Sequence, residues 1–457
     1  MTTAKTYKFL ILVASFFSIA LLNLNVSESI WKYSFDDGTY SHAPLILVII
    51  SFLFYDIVKT NALTFRKHIS LPALVLLFGS SYLFWVATNA QFNLLYWGLT
   101  PVLLFALCNT LFKFNFKLLF ATLYLVFLIP IWGVLIVPLQ TLSVKAVSLI
   151  MSFTSMPVFI SGTFVEIPSG VFEIAGGCSG LRYFITSLAI SSLFSYLHLN
   201  QLKSKIYFIA LAIILALITN WVRIALLIGI GHYTEMQSGL MEDHNMFGWY
   251  LFVPVIFGLL KYGDYLGNKD AEPVSLEVVE SGNTLSISAV MCGVVTIVLF
   301  SSALKALFME SNKNYENVDG VKNELLNLSM SNQDSTAPLV HYYSKVNINK
   351  NSNEELNLTY FFNGQNLDEK PTYYENVIIP KGWSVVERDN QSEQALYHLS
   401  KGKSRALLAV SYQVEEQKVA TISEMKKLRL LKALLGQNQT KLNWHLKQLP
   451  NHKLIRE

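Results

Sequence analysis

Eight apolar runs of about 20 residues follow one another between Tyr7 and Tyr265, and a ninth lies at 285–307. About 20 helical residues cross a bilayer core of roughly 30 Å. Inside that core every backbone N–H and C=O must find a partner within the protein, so only helices or a closed barrel can span it. Runs of this length without period-two alternation call for helices. The expected fold is therefore an α-helical polytopic membrane protein of about nine transmembrane helices. The spans are expected near 7–26, 41–59, 69–88, 92–112, 118–139, 181–199, 206–230, 246–265 and 285–307. Pro130 should kink the fifth, with neighbouring helices satisfying the carbonyl it frees.

Composition agrees: 52% of residues are hydrophobic and 14% charged, too apolar for an ordinary soluble enzyme. The formal charge of +4 is too small to point to a partner; the bilayer is the partner expected, and no nucleic acid. Lys5 and Lys8 precede the first run without a small-residue cleavage site, so that run reads as a retained helix. Basic residues fall on alternate ends: Lys5 and Lys8; Lys59, Arg66 and Lys67; Lys113 and Lys117; Lys203 and Lys205. The positive-inside rule makes those ends cytoplasmic. With nine spans, the chain after residue 310 is extracytoplasmic.

Two stretches interrupt the helical pattern. Residues 141–157 read as amphipathic or re-entrant. Thr163 to Ile167 and Val171 to Ile174 alternate with period two about a Pro168-Ser169-Gly170 turn, a small hairpin outside the hydrocarbon. It delivers the chain to Ala175-Gly176-Gly177-Cys178-Ser179-Gly180-Leu181-Arg182. Of three cysteines, Cys108 and Cys292 lie in apolar runs, where a thiol is a small inert hydrophobe. Cys178 stands at the watery edge. Its flanking glycines permit tight backbone and close approach to the sulfur. Ser179 or Gly180 starts the next helix, whose N-terminus favours an anion, and Arg182 lies one turn on. A structural glycine loop with an incidental cysteine is the alternative.

On the same outer side lie His42, His232, His244 and Arg223, the last in Asn220-Trp221-Val222-Arg223-Ile224. A charge within a span is costly and marks a function, unless the residue merely snorkels. Snorkelling arginines sit at span ends, whereas Ala225 to Ile230 continue apolar beyond this one. A thiolate nucleophile, a permanent cation and a histidine on one face fit acyl transfer. His232 beside Tyr233 reads as interfacial. His42 either lines the site or starts a helix with Pro44. Gly248 lets a neighbouring helix come close. No metal-ligand spacing or phosphate-cradling loop is seen, so no cofactor is expected.

Together the Ala175 to Arg182 block, Asn220 to Ile224 and His244-Asn245-Met246-Phe247-Gly248 resemble the signature blocks of the exosortase/archaeosortase family. Tyr40-Ser41-His42-Ala43-Pro44 is similar to an early family feature, with Ala43 where glycine is usual. The likeness covers about residues 7–265. It implies a multi-pass inner-membrane cysteine peptidase or transpeptidase with its site on the periplasmic side. Its partners would be membrane-anchored proteins with a C-terminal Pro-Glu-Pro-type (PEP-CTERM) sorting signal. By the likeness Cys178 is the nucleophile, Arg223 the oxyanion or thiolate partner and His244 the acid/base. His42, Arg182, Asn220 and Gly248 support or bind substrate.

The expected domain order is 1–284 for the membrane domain, 285–309 for the ninth helix, 310–352 for an Asn/Ser/Lys-rich linker and 353–457 for a small α+β domain. In the last, strands are expected at 358–362, 377–379, 383–388, 395–399 and 406–415. A helix should follow at 422–435, capped by Thr421 or Ser423 and ended by Gly436. Gly382-Trp383 and the 406–435 run resemble the extracytoplasmic domain that accompanies many exosortases, without its Cys-Leu-Pro element. A polytopic transporter, or an envelope glycan ligase or polymerase, in which Arg223 binds an anionic substrate, are the competing readings. Both make Cys178 dispensable.

Overall fold

The computed structural model describes residues 3–35, 39–242, 244–269, 337–352, 355–362, 364, 367–373 and 376–449. The expected ninth span and most of the linker lie outside them. Among the described residues six helical segments are long and apolar enough to cross a membrane: Ala4–Leu22, Leu71–Asn89, Asn93–Leu111, Pro130–Ser152, Leu202–Tyr233 and Met246–Lys269. The runs at 41–59 and 181–199 form helices of 17 and 18 residues that fall outside those six. Contacts divide the chain into two compact units.

Unit one comprises Met1–Ala14, Ile30–Phe65 and Phe112–Thr284. The first helix, α1 (Thr3–Leu22), stops sooner than the sequence suggested, and the polar stretch after it is helical too, as α2 (Leu24–Ser34). In this unit α3 (Ala43–Lys59) brings its end to the start of α1: Lys5 Nζ donates to Lys59 O at 2.9 Å and Lys8 Nζ to Leu63 O at 2.8 Å. Asn115 donates to Ala62 O at the same end. Lys5, Lys8, Lys59 and the Asn115 turn thus lie at one end of this unit.

The 118–139 run is not one kinked helix. α6 (Phe116–Leu123) tightens into a 3-10 turn at Tyr124–Phe127, and a second such turn, Pro130–Leu135, opens α7 (Ile136–Ser152). Proline offers no N–H and drives the residue before it out of the helical region. Ile129 is extended, at φ −84° and ψ 145°. Trp132 Nε1 takes up a carbonyl freed nearby, Val126 O, at 2.8 Å. Most of 141–157, expected to be amphipathic or re-entrant, is thus helical and forms the second half of the candidate span Pro130–Ser152.

This broken path runs antiparallel to α8 (Leu181–His198). Phe120 stacks on Tyr196, Tyr124 Oη donates to Ala189 O, and Trp132 meets Phe184 edge-on. Next comes α9 (Leu202–Tyr233), whose 32 residues extend about 48 Å at 1.5 Å each, well beyond a 30 Å core. Its far end is covered by protein. Ile224 and Ile228 pack with Val147 and Met151 of α7 and with Val165, Ile167 and Ile174. The last three belong to or flank an antiparallel sheet of β1 (Phe159–Ser161), β2 (Phe164–Ile167) and β3 (Gly170–Glu173). The expected hairpin is β2–β3, with β1 as an added strand. After a short helix, α10 (Gly239–Glu242), α11 (His244–Lys269) returns alongside α8 and α9.

Unit two comprises Ser15–Ser29, Arg66–Leu111 and Leu285–Glu457. Its helices α4 (Leu71–Asn89) and α5 (Asn93–Leu111) form a hairpin about Gln91, which takes φ +52°. Among the described residues the tail folds as a small antiparallel β-sheet domain with one helix. Its strands are β4 (Leu339–Val340), β5 (Lys345–Ser352), β6 (Glu355–Phe362), β7 (Asn376–Val377), β8 (Ser384–Asn390), β9 (Ala395–Lys401), β10 (Ser404–Val414), β11 (Gln417–Val419) and β12 (Thr440–Leu449). The main sheet runs β5-β6-β12-β10-β9-β8, with β11 on β10. Four strands went unread: the short β4 and β11, β5 at the end of the expected linker, and the central β12. The helix α12 (Ile422–Ala433) lies where expected; Thr421 Oγ1 accepts from Glu424 N, and Gly436 ends it at φ +76°. Trp444, Tyr360, Phe362 and Leu408 fill the core.

Candidate functional site

Gly176–Cys178 makes a single 3-10 turn, with Cys178 N donating to Ala175 O at 2.9 Å and Ser179 N to Gly176 O at 3.1 Å. Gly180 then takes φ +87° and begins α8. Only glycine enters that left-handed region cheaply, and a Cβ there would lie 2.8 Å from Asn220 Nδ2. Of the two residues expected to start the helix, Gly180 is the one that does. Cys178 stands at the N-terminal end of α8, partly exposed.

Two neighbouring helices clamp this turn. Asn220, on α9 and fully buried, donates through Nδ2 to Cys178 O at 3.0 Å and to Ser143 Oγ at 3.3 Å. Ser143, on α7, donates in turn to Ser179 O at 3.2 Å. Main-chain carbonyls that the turn cannot satisfy internally are thus met by side chains from α7 and α9.

One turn beyond Asn220 comes Arg223. It does not snorkel: it is 3% exposed. Nη1 lies 3.4 Å from both Tyr183 Oη and Asn220 Oδ1, and Nη2 lies 3.6 Å from Cys178 Sγ. The guanidinium carbon is 5.7 Å from the centroid of the Tyr183 ring. Among the described residues Nε has no partner although it is buried. Among the described residues the partners are a hydroxyl, an amide oxygen, an aromatic face and a sulfur; none is a carboxylate. A desolvated cation with no counter-ion among the described residues is costly, so this setting favours an anion beside the guanidinium.

Gly248 completes the layer. A Cβ there would fall 1.7 Å from Tyr183 Oη and 3.0 Å from Arg223 Cδ. α11 can therefore pass only as glycine, the close approach read from the sequence. His244 opens α11 one turn earlier, and its side chain lies outside the described residues. His232 is further along α9, and Ser169 at the sheet turn holds it through ring Nδ1 at 3.2 Å and its carbonyl at 3.1 Å. Nine residues, about 13 Å along the helix axis, separate it from Arg223. His42 caps α3 and places Nε2 3.0 Å from Phe127 O, so it serves the broken α6–α7 path. It lies within electrostatic reach of Arg182, which is half-buried on α8 and makes no contact with the sulfur that the structure records.

Cys178, Arg223, Asn220 and Gly248 thus come together as a group, while His42 and Arg182 stand beside it. Tyr183 and Ser143 were missed as members. Tyr183 was legible as the residue after Arg182 in the motif, but nothing local said it faces Arg223. Among the described residues no group of three His, Cys, Asp or Glu could hold a metal.

Fold and site define a class: a polytopic membrane protein that sets a cysteine against a buried cation where four helices meet. The transmembrane exosortase family (Exosortase_EpsH) matches residues 31–261, half of the chain. The chain belongs to that family, one of membrane cysteine transpeptidases that act on sorting signals. The match takes in the positions from His42 to Gly248 and ends before the tail. No curated protein and no solved structure matched the chain.

Proposed function

We propose that the protein cleaves and sorts exported proteins carrying a C-terminal Pro-Glu-Pro-type (PEP-CTERM) signal, through a thioacyl intermediate on Cys178. The observation that carries this reading is Nη2 of the buried Arg223 facing Cys178 Sγ at 3.6 Å, with no carboxylate partner among the described residues. In the first step the Cys178 thiolate attacks the scissile carbonyl carbon. The new S–C bond forms as the C=O π pair moves to oxygen, and Arg223 stabilises the charge. The C–N bond then breaks, and the amine leaves with the proton that His244 took from the thiol. His244 next deprotonates water or an amine that releases the acyl group. Positions 244 and 248 share one face of α11, and at 248 that face meets Tyr183 and Arg223.

The site works on the periplasmic side of the inner membrane. The gathering of Lys5, Lys8 and the Lys59 end of α3 supports a cytoplasmic opposite end. The tail's side is supported without the ninth span. In unit two it packs on the turn that follows α4, at the end away from Arg66 and Lys67. The tail serves substrate or partner binding in this reading.

The test is to trap the intermediate: the full-length enzyme is incubated with a tagged substrate bearing the sorting signal, quenched in acid and digested. The expected result is a thioester-linked fragment on the Cys178 peptide, absent in Cys178→Ala along with all processing. Undiminished processing by Cys178→Ala would instead favour a cysteine-independent membrane function.

A further inference from the structure

The sequence left open whether Arg223 serves the thiolate or the oxyanion, and the contacts of its three nitrogens separate those roles. A guanidinium presents donors in a fixed planar fork. Nε–H and one N–H of Nη2 point the same way along one edge, while Nη1 lies on the other side. In this chain Nη1 is the tethered nitrogen, 3.4 Å from Tyr183 Oη and from Asn220 Oδ1. Nη2 faces Cys178 Sγ at 3.6 Å, and Nε is buried with no partner among the described residues. A buried charged N–H left unpaired is expensive. It sits on the edge that holds the sulfur, beside where a carbonyl bonded to that sulfur must lie.

We propose that Tyr183 is a positioning residue for the acyl-transfer chemistry: by holding Nη1 it turns the Nε/Nη2 edge of Arg223 toward Cys178, so that Nη2 meets the sulfur and Nε–H receives the substrate's carbonyl oxygen. This rests on the cysteine chemistry proposed above. Three observations converge on Tyr183. It is 4% exposed, so its hydroxyl is held and not free to wander. Its ring packs on Phe252 of α11, centroids 4.9 Å apart, and lies under the guanidinium. Gly248 leaves room for that hydroxyl alone, since a Cβ would overlap it at 1.7 Å. Asn220 offers the fork a single acceptor, its Oδ1 on Nη1, since its Nδ2 can only donate and does so to Cys178 O and Ser143 Oγ; the Tyr183 hydroxyl is the second hold on that nitrogen.

The substitution is Tyr183→Phe, which keeps the ring and its packing and removes one oxygen. Processing of a tagged substrate is followed with kcat and KM separated, and Cys178 alkylation by iodoacetamide is followed without substrate. kcat should fall roughly ten- to a hundredfold with KM unchanged, less than the hundred- to thousandfold typical of losing an oxyanion donor outright. Alkylation at neutral pH should slow several-fold. In an Arg223→Ala background the same change should do nothing further to either rate, because the group it positions is gone. Wild-type kcat in Tyr183→Phe, or an equal loss with Arg223 already removed, overturns the proposal. The alkylation arm needs no substrate, so it judges Tyr183 even if Cys178→Ala leaves processing intact and the function itself falls.

Discussion

At the scale of single residues, Arg223 has more to lose by conservative change than its charge implies. Its nitrogens meet Tyr183, Asn220 and Cys178 from one planar group. Lysine keeps the charge but not the fork. Arg223→Lys is therefore expected to lose activity by on the order of a hundred- to a thousandfold, about 2.7 to 4 kcal/mol of transition-state stabilisation. Arg223→Ala should be at least as severe. Both should accumulate normally, since removing a charge from a spanning helix eases insertion. Substrate processing normalised to enzyme level, with Cys178→Ala as zero, decides it. Near-normal processing by Arg223→Lys leaves only an electrostatic anchor.

At the scale of elements, the site depends on how closely α11 passes α8 and α9. Two glycines of α11 make an internal comparison. A Cβ at Gly248 overlaps Tyr183, whereas one at Gly258 meets nothing within 4 Å. Overpacking a fitted contact costs about 1–3 kcal/mol, and in a helix interior alanine is otherwise favoured over glycine by about 1 kcal/mol. Gly248→Ala should therefore cut processing severely by displacing Tyr183 or the helix. Gly258→Ala should leave processing unchanged and raise the thermal midpoint slightly. Equal activity of the two variants would mean that the close approach at Gly248 has no bearing on the chemistry.

At the scale of the whole molecule, unit two ties the tail to a membrane hairpin. Ala433 of α12 is buried with Val86 and Ala90, and Tyr82 Oη donates to Leu434 O at 2.9 Å. Arg429 donates to Gln91 Oε1, and Lys370 donates to Gln91 O and to Asn93 Oδ1. Burial, with Arg429 nearby, brings Lys370 down to about 7 from its ordinary 10.5. Between those values the docked chain holds fewer protons than a chain with Lys370 in water. Docking should therefore strengthen as pH rises from about 7 toward 10.5 and be flat below about 7. Spin labels at the exposed positions Leu83 and Leu431, in a chain freed of native cysteines, report it. The close-distance population should grow across that window, and Lys370→Met should make it high throughout. A distribution indifferent to pH in both chains would show that the lysine is not what limits docking.

The membrane class, the basic run ends and the Cys178, Arg223 and Gly248 positions were legible because each is a local property. Run length measures against bilayer thickness, charge against the loops, and glycine against its own backbone. The alternation of Leu442, Trp444 and Leu446 was equally local, so β12 could have been read. What no local pattern carried was partnership. The residues at 118–139 are apolar whether they form one helix or a 3-10 break at Pro130, because lipid and protein neighbours reward the same side chains. Tyr183 lies 40 residues from Arg223, and Ser143 lies 77 from Asn220. Burial in a bilayer is satisfied by hydrophobicity alone, but a desolvated arginine must be met by particular polar atoms. Only the packing of α7, α8, α9 and α11 decided which ones.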